Sequence, residues 1–304
     1  MRYVVGYSAN ARGHDAVNLA VSLALGRGAS LDLVLVVPEV QQFGAAHAPK
    51  AGFETLLTEQ AQEWLDQALS LVPPGVPAEA HIRIGDSDAH ALIEAAEELG
   101  ADMLIIGATS YGIFKRFTIG SVAGALLHAS TVPVALAPHG YSRQEALTRI
   151  SCGLGTRAGA EKLLDFAVGM AANREVPLRV VSLLALDGGD AAGAAEAARE
   201  YAARHLAAAL PGSEQEVRAE AKAEVVVAHG RSIEEAVDRL DWEAGEVLLI
   251  GSSRLAKGRS IFLGSTANRI LRALPVPMIV VPSDYELKTL NHSASNDVPR
   301  EAQQ

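Results

Sequence analysis

Met103-Leu-Ile-Ile-Gly107 is a short apolar run closed by glycine, and Val247-Leu-Leu-Ile-Gly251 is its counterpart 144 residues later. Thirteen residues after each glycine comes a Gly-Ser pair, Gly120-Ser121 and Gly264-Ser265. The first half then closes on Pro133 and Pro138 around an apolar strand, and the second on Pro277 and Pro282. Four landmarks at one shared offset mark the chain as two copies of one unit, and a repeat of this length decides the architecture.

Within the first copy, strand and helix patterns alternate. Tyr3–Tyr7 is short and apolar, and residues 11–27 follow with Val17, Val21, Ala24 and Leu25 at helical spacing. Leu31–Val37 is continuous and rich in branched residues, and Pro38 ends it. Residues 38–52 read as a loop, 53–72 as a helix, and Ala80–Ile84 as a third strand. Asp86 or Ser87 can cap the helix that runs to Leu99. Residues 101–106 and 133–137 supply the fourth and fifth strands, with a short helix from Ser121 to Ala129 between them. The second copy repeats this from Arg149 to Val281, its third strand blurred by Glu and Lys. Strands apolar on both faces and separated by helices predict a parallel sheet covered on both sides. Right-handed crossovers then give an α/β fold of two tandem doubly wound units, each a five-stranded sheet. The last strand of each unit is an apolar edge, so the two units are expected to pair there.

The boundaries follow as 1–143 for the first domain, 147–283 for the second, and 284–304 for a polar tail expected to be disordered. The length of 304 residues agrees with two domains. Twenty-six basic against thirty-six acidic residues leave a net charge of −10, which argues against nucleic acid or an anionic membrane as partner. The single cysteine, Cys152, excludes an internal disulfide and a cysteine-ligated zinc site. No stretch reaches the ~20 apolar residues of a membrane span. The expected location is the cytoplasm.

Ligands of open parallel sheets sit beyond the carboxyl ends of the strands, where the winding direction reverses. The loop leaving the fourth strand would lie there. It runs Gly107-Ala-Thr-Ser110-Tyr-Gly112-Ile-Phe-Lys115-Arg116-Phe-Thr-Ile-Gly120-Ser121 and ends at a helix start. Unpaired N–H groups at that start suit a phosphate, glycine lets it approach, and the serine hydroxyl can add a hydrogen bond. The second copy carries Gly251, Arg254, Lys257, Arg259, Gly264 and Ser265 in the same layout. Serine before a helix is also a plain cap, and loop lysines and arginines are also plain solvated charges.

Two α/β units, each with this glycine loop, its Gly-Ser and a terminal Pro-Val strand, resemble a tandem universal stress protein. The resemblance covers residues 2–138 and 148–282. It implies pairing of two units through their last strands and, in one branch of the family, ATP bound at this loop, with Mg²⁺ accompanying it. The implied nucleotide-binding set is Ser8, Val37, Gly107, Ser110, Gly120 and Ser121 in the first copy, and Gly251, Arg254, Gly264 and Ser265 in the second. This chain departs from the ATP-binding pattern. The second glycine of Gly-x-x-Gly is Ser110 in one copy and Arg254 in the other, and the aspartate after the first strand is replaced by Ser8 and Gly155. Arg254 could clamp a phosphate or fill the pocket with its own guanidinium. The first copy keeps the better pocket.

Other motifs are weaker. Gly153-Leu-Gly155-Thr-Arg-Ala158 fits a dinucleotide fingerprint, but no acidic residue ends the next strand. A P-loop and a Gly-x-Ser-x-Gly elbow are both missing from the sequence. The histidines form no metal spacing, although His14 could reach the switch point. The expectation is therefore a non-catalytic stress-response binding protein that takes adenine nucleotide, foremost in the first repeat. The alternative is a nucleotide-independent structural or interaction protein with filled pockets. Further self-association into a homodimer is left open.

Overall fold

The computed structural model describes residues 1–39, 53–110, 117–118, 120–155, 160–186, 191–210, 223–252, 263–283 and 285. The first unit runs β1 (Arg2–Tyr7), α1 (Ala11–Ala24), β2 (Ser30–Val37), α2 (Phe53–Ser70), β3 (Ala78–Ile84), α3 (Asp88–Glu98) and β4 (Met103–Gly107). A small hairpin of β5 (Thr109–Ser110) and β6 (Phe117–Thr118) follows, then α4 (Ser121–Ala129) and β7 (Val134–Ala137). The second unit runs β8 (Arg149–Gly153), α5 (Ala160–Ala172), β9 (Leu178–Ala185), α6 (Ala191–Ala209), β10 (Ala223–Gly230), α7 (Ile233–Asp238), β11 (Glu246–Gly251), α8 (Ser265–Ala273) and β12 (Met278–Val281). The expected α/β class, with two wound units and helices on both faces, is what the chain adopts.

The strands lie in the order β10-β9-β8-β11-β12-β7-β4-β1-β2-β3. Within each unit all pairings of this sheet are parallel. Between the units, β7 and β12 run antiparallel, with Leu136 opposite Met278, Ala135 opposite Ile279 and Val134 opposite Val280. One ten-stranded sheet results, and neither closing strand is left as a bare apolar edge.

Strand side chains alternate between faces, and both faces are buried. Ala135, Ala137, Ile279 and Val281 join the core under α1, α2, α5 and α6. Val134, Leu136, Met278 and Val280 join the core under α3, α4, α7 and α8. Each core therefore continues across the seam. In the first unit the chain winds from β1 outward to β3, then returns to β4 on the other side of β1. The switch point lies between β1 and β4.

Candidate anion-binding cleft

The helix starts around the switch point are finished in two different ways. At α1, the Asn10 side-chain oxygen accepts hydrogen bonds from the Arg12 and Gly13 amides at 3.0 and 3.4 Å. At α3, Ser87 accepts from the His90 amide, and at α7, Ser232 accepts from the Glu235 amide. Between Asp86 and Ser87, then, it is the serine that caps. At α4 and α8 the N-cap is glycine, Gly120 (φ −70°, ψ 169°) and Gly264 (φ −70°, ψ 168°), which has no side chain to cap with, and no capping side chain stands among the described residues. Their first-turn amides carry the partial positive charge of the helix end, with no side-chain acceptor among the described residues to answer it.

In the first unit this α4 start opens on a cleft of about 170 Å³. The β1 end contributes Tyr7 and Ser8, β2 contributes Val36, α3 contributes Asp88, and Gly107 and Gly120-Ser121 close the far side. The exposed Arg12 stands at its rim. Ser8 Oγ donates to Asn10 Oδ1 at 3.2 Å, which ties the β1 end to the cap of α1. Burial pushes the Tyr7 phenol above its ordinary pKa, so its hydroxyl stays protonated at neutral pH. The residues lining the cleft thus bring backbone donors, three hydroxyl groups (Tyr7, Ser8 and Ser121), one guanidinium and one carboxylate around an apolar floor.

Of the residues named from sequence, Ser8, Gly107, Gly120 and Ser121 come together here. Val37 does not line the cleft. Its side chain packs into the core under α1 and α2, while Val36 faces the α3 side. Ser110 is placed in β5, but its side chain, like Arg254, Lys115, Arg116, Lys257 and Arg259, lies outside the described residues. Gly251, Gly264 and Ser265 occupy the equivalent positions at the β11 end and the α8 start. The fingerprint residues Thr156–Ala158, the 40–52 loop and all of the tail but Tyr285 also fall outside the description. Tyr285 itself stacks edge-on against Phe166, and its hydroxyl donates to the Asp102 carbonyl at 3.0 Å. His14 is exposed and stacks on Tyr7 at 6.2 Å without lining the cleft.

Arg12 and Asp88 were missed in the sequence. Each is a charged residue in the first turn of a helix, a place where a solvated charge is ordinary. Only the three-dimensional switch point, which brings the starts of α1 and α3 together, marks them. Gly107 also has a second constraint. A Cβ built there would lie 2.1 Å from the Arg12 carbonyl oxygen, so the strand end and α1 touch backbone to backbone. At Gly251 the nearest atom to such a Cβ among the described residues is Leu163 Cδ2 at 3.7 Å, an ordinary contact.

The fold is a doubly wound α/β unit with its switch point between β1 and β4, the place where open parallel sheets carry their ligands. The sequence model of the universal stress protein family matches residues 1–138 and again 147–282, and the chain belongs to that family. It is 31% identical over 299 residues to a universal stress protein of Mycobacterium tuberculosis, covering 93% of this chain and all of that one. A universal stress protein from Archaeoglobus fulgidus has a similar fold at TM-score 0.62 and 19% identity, covering 92% of this chain and 96% of its own. A universal stress protein from Pseudomonas aeruginosa aligns at TM-score 0.58 and 17% identity, over 93% of this chain and 94% of its own.

Proposed function

We propose that the chain is a non-catalytic binding protein that takes an adenine nucleotide, ATP foremost, in the first-unit cleft. The observation that carries this reading is the glycine-capped start of α4, which lines the cleft with no side-chain acceptor for its amides among the described residues. A phosphate group would supply that acceptor, and Arg12 would add a charge-assisted bond. Asp88 stands where a ribose hydroxyl could donate to it, and the β2 wall is apolar enough for a base. These residues fit the group. A magnesium ion would arrive on the phosphates of ATP. Among the described cleft residues the titratable groups are Tyr7, Arg12 and Asp88, without a histidine base. That set supports binding over turnover.

The test is calorimetric titration of the full chain with ATP, ADP and AMP, with and without Mg²⁺. One nucleotide per first-unit site is expected, with affinity falling about tenfold or more in Gly120→Asp, where a carboxylate meets the phosphate position. Absence of binding at millimolar nucleotide, or an unchanged affinity in Gly120→Asp, overturns the reading in favour of a nucleotide-independent member of the fold.

A further inference from the structure

Away from the cleft, towards the amino ends of the strands, the first unit gathers a carboxylate, a second carboxylate and an imidazole on one face of two neighbouring strands. Asp32 on β2 lies opposite Glu79 on β3, and Val34 lies opposite His81. Glu79 and His81 are two residues apart and so project to the same side as Asp32. One ligand atom from each of Asp32, Glu79 and His81 lies within 4.8 Å of the other two. His81 Nε2 is 2.8 Å from Asp32 Oδ1.

Asp32 is 1% exposed, a costly place for a carboxylate. Its Oδ2 has no hydrogen-bond donor, although the Arg2 guanidinium pairs with it electrostatically at 3.0 Å. Arg2 is 39% exposed, so its side chain can leave for solvent at small cost. The internal repeat sharpens the point. Val4 pairs with Asp32 as Ser151 pairs with Arg179, so Asp32 and Arg179 hold the same place in the two units. Glu224, opposite Arg179, corresponds to Glu79, and Val226 to His81. The second unit has lost two of the three ligand types, and only the first keeps the set.

We propose that Asp32, Glu79 and His81 form a divalent transition-metal site, with zinc the best match to one imidazole and two carboxylates. Zinc takes such N and O ligands tetrahedrally and tolerates one open position. Bonds of about 2.0–2.1 Å place tetrahedral ligands about 3.3 Å apart, so the Asp32–His81 contact opens by roughly half an ångström as both turn to the ion. The ion takes over the charge compensation of the buried carboxylate, and Arg2 swings out. This site is independent of the nucleotide cleft and of the magnesium that ATP would carry.

The experiment is titration of the EDTA-dialysed full chain with zinc chloride, followed by elemental analysis for stoichiometry. One zinc ion per chain is expected. Glu79→Gln and His81→Gln should each weaken binding at least tenfold, while Arg2→Gln, which removes the competing cation, should tighten it. Glu79 is exposed, so its variant keeps the fold and decides the matter even if the His81 variant does not. His90→Gln, at an exposed histidine paired with Glu94, should change nothing. Failure of the wild type to take up zinc overturns the proposal, as does zinc binding that survives both Glu79→Gln and His81→Gln.

Discussion

Arg179 and Glu246 form an ion pair at 2.5 Å with side chains 3% and 0% exposed, buried between β8, β9 and β11. The same carboxylate receives Arg149 at 2.6 Å and the Ser151 hydroxyl, and the Arg179 guanidinium lies 4.8 Å over the Trp242 ring. Burial draws the Arg179 pKa down, and the Glu246 charge works against that loss. Removing one partner of such a pair leaves a buried charge uncompensated. Glu246→Ala is expected to cost the second unit about 3–5 kcal/mol in denaturant unfolding. Glu196→Ala, which breaks the exposed pair with Arg199, should cost less than about 1 kcal/mol. Similar losses in the two variants would contradict the buried-charge account.

The glycines that end β4 and β11 differ although the sequence aligns them. Gly107→Ala sets a methyl carbon 2.1 Å from the Arg12 carbonyl, a backbone atom that cannot turn aside. Among the described residues, Gly251→Ala meets only Leu163 Cδ2, at 3.7 Å. Thermal unfolding should show Gly107→Ala destabilised by about 1–3 kcal/mol, as overpacked sites are, and Gly251→Ala close to wild type. Equal melting temperatures would mean that α1 shifts freely away from the β4 end.

The same pair of glycines shows where sequence reading succeeds and where it stops. The repeat offset and the apolar strands were legible because the central strands are buried on both faces and each landmark recurs. The Ser121–Ala129 helix was placed to the residue because glycine and proline bracket it. The β5–β6 hairpin was not visible, since two-residue strands carry no periodicity. Val37 is named on a strand whose period-two alternation turns the Val36 side chain, not that of Val37, to the α3 face. Gly107 was read for a phosphate, but its contact with the Arg12 carbonyl is a tertiary fact that no local pattern encodes.

Cys152 is fully buried in β8, and burial pushes its thiol up to about 12. A thiol that stays protonated and out of reach is inert, because the thiolate is the reacting form. Ellman's reagent should therefore label almost nothing in the native chain at neutral pH and one thiol per chain in denaturant. Rapid native labelling would show that β8 opens far more often than a central strand should.

Glu234 on α7 and Arg269 on α8 supply the pH-dependent prediction. The carboxylate accepts three close contacts from the guanidinium, at 3.0, 3.1 and 2.8 Å, and is held down to a pKa of about 2, chiefly by that hydrogen bonding. The unfolded chain returns the group to its ordinary value of 4.5. A carboxylate depressed on folding stabilises fully above the unfolded pKa and loses its contribution as the pH falls through the folded one. Glu234→Gln should therefore melt below the wild type at pH 7, and the gap should shrink from about pH 4.5 down towards about pH 2. Arg269→Gln removes the partner and should show the same convergence. If the gap between Glu234→Gln and wild type stays constant over that acid range, the contact between α7 and α8 owes nothing to charge.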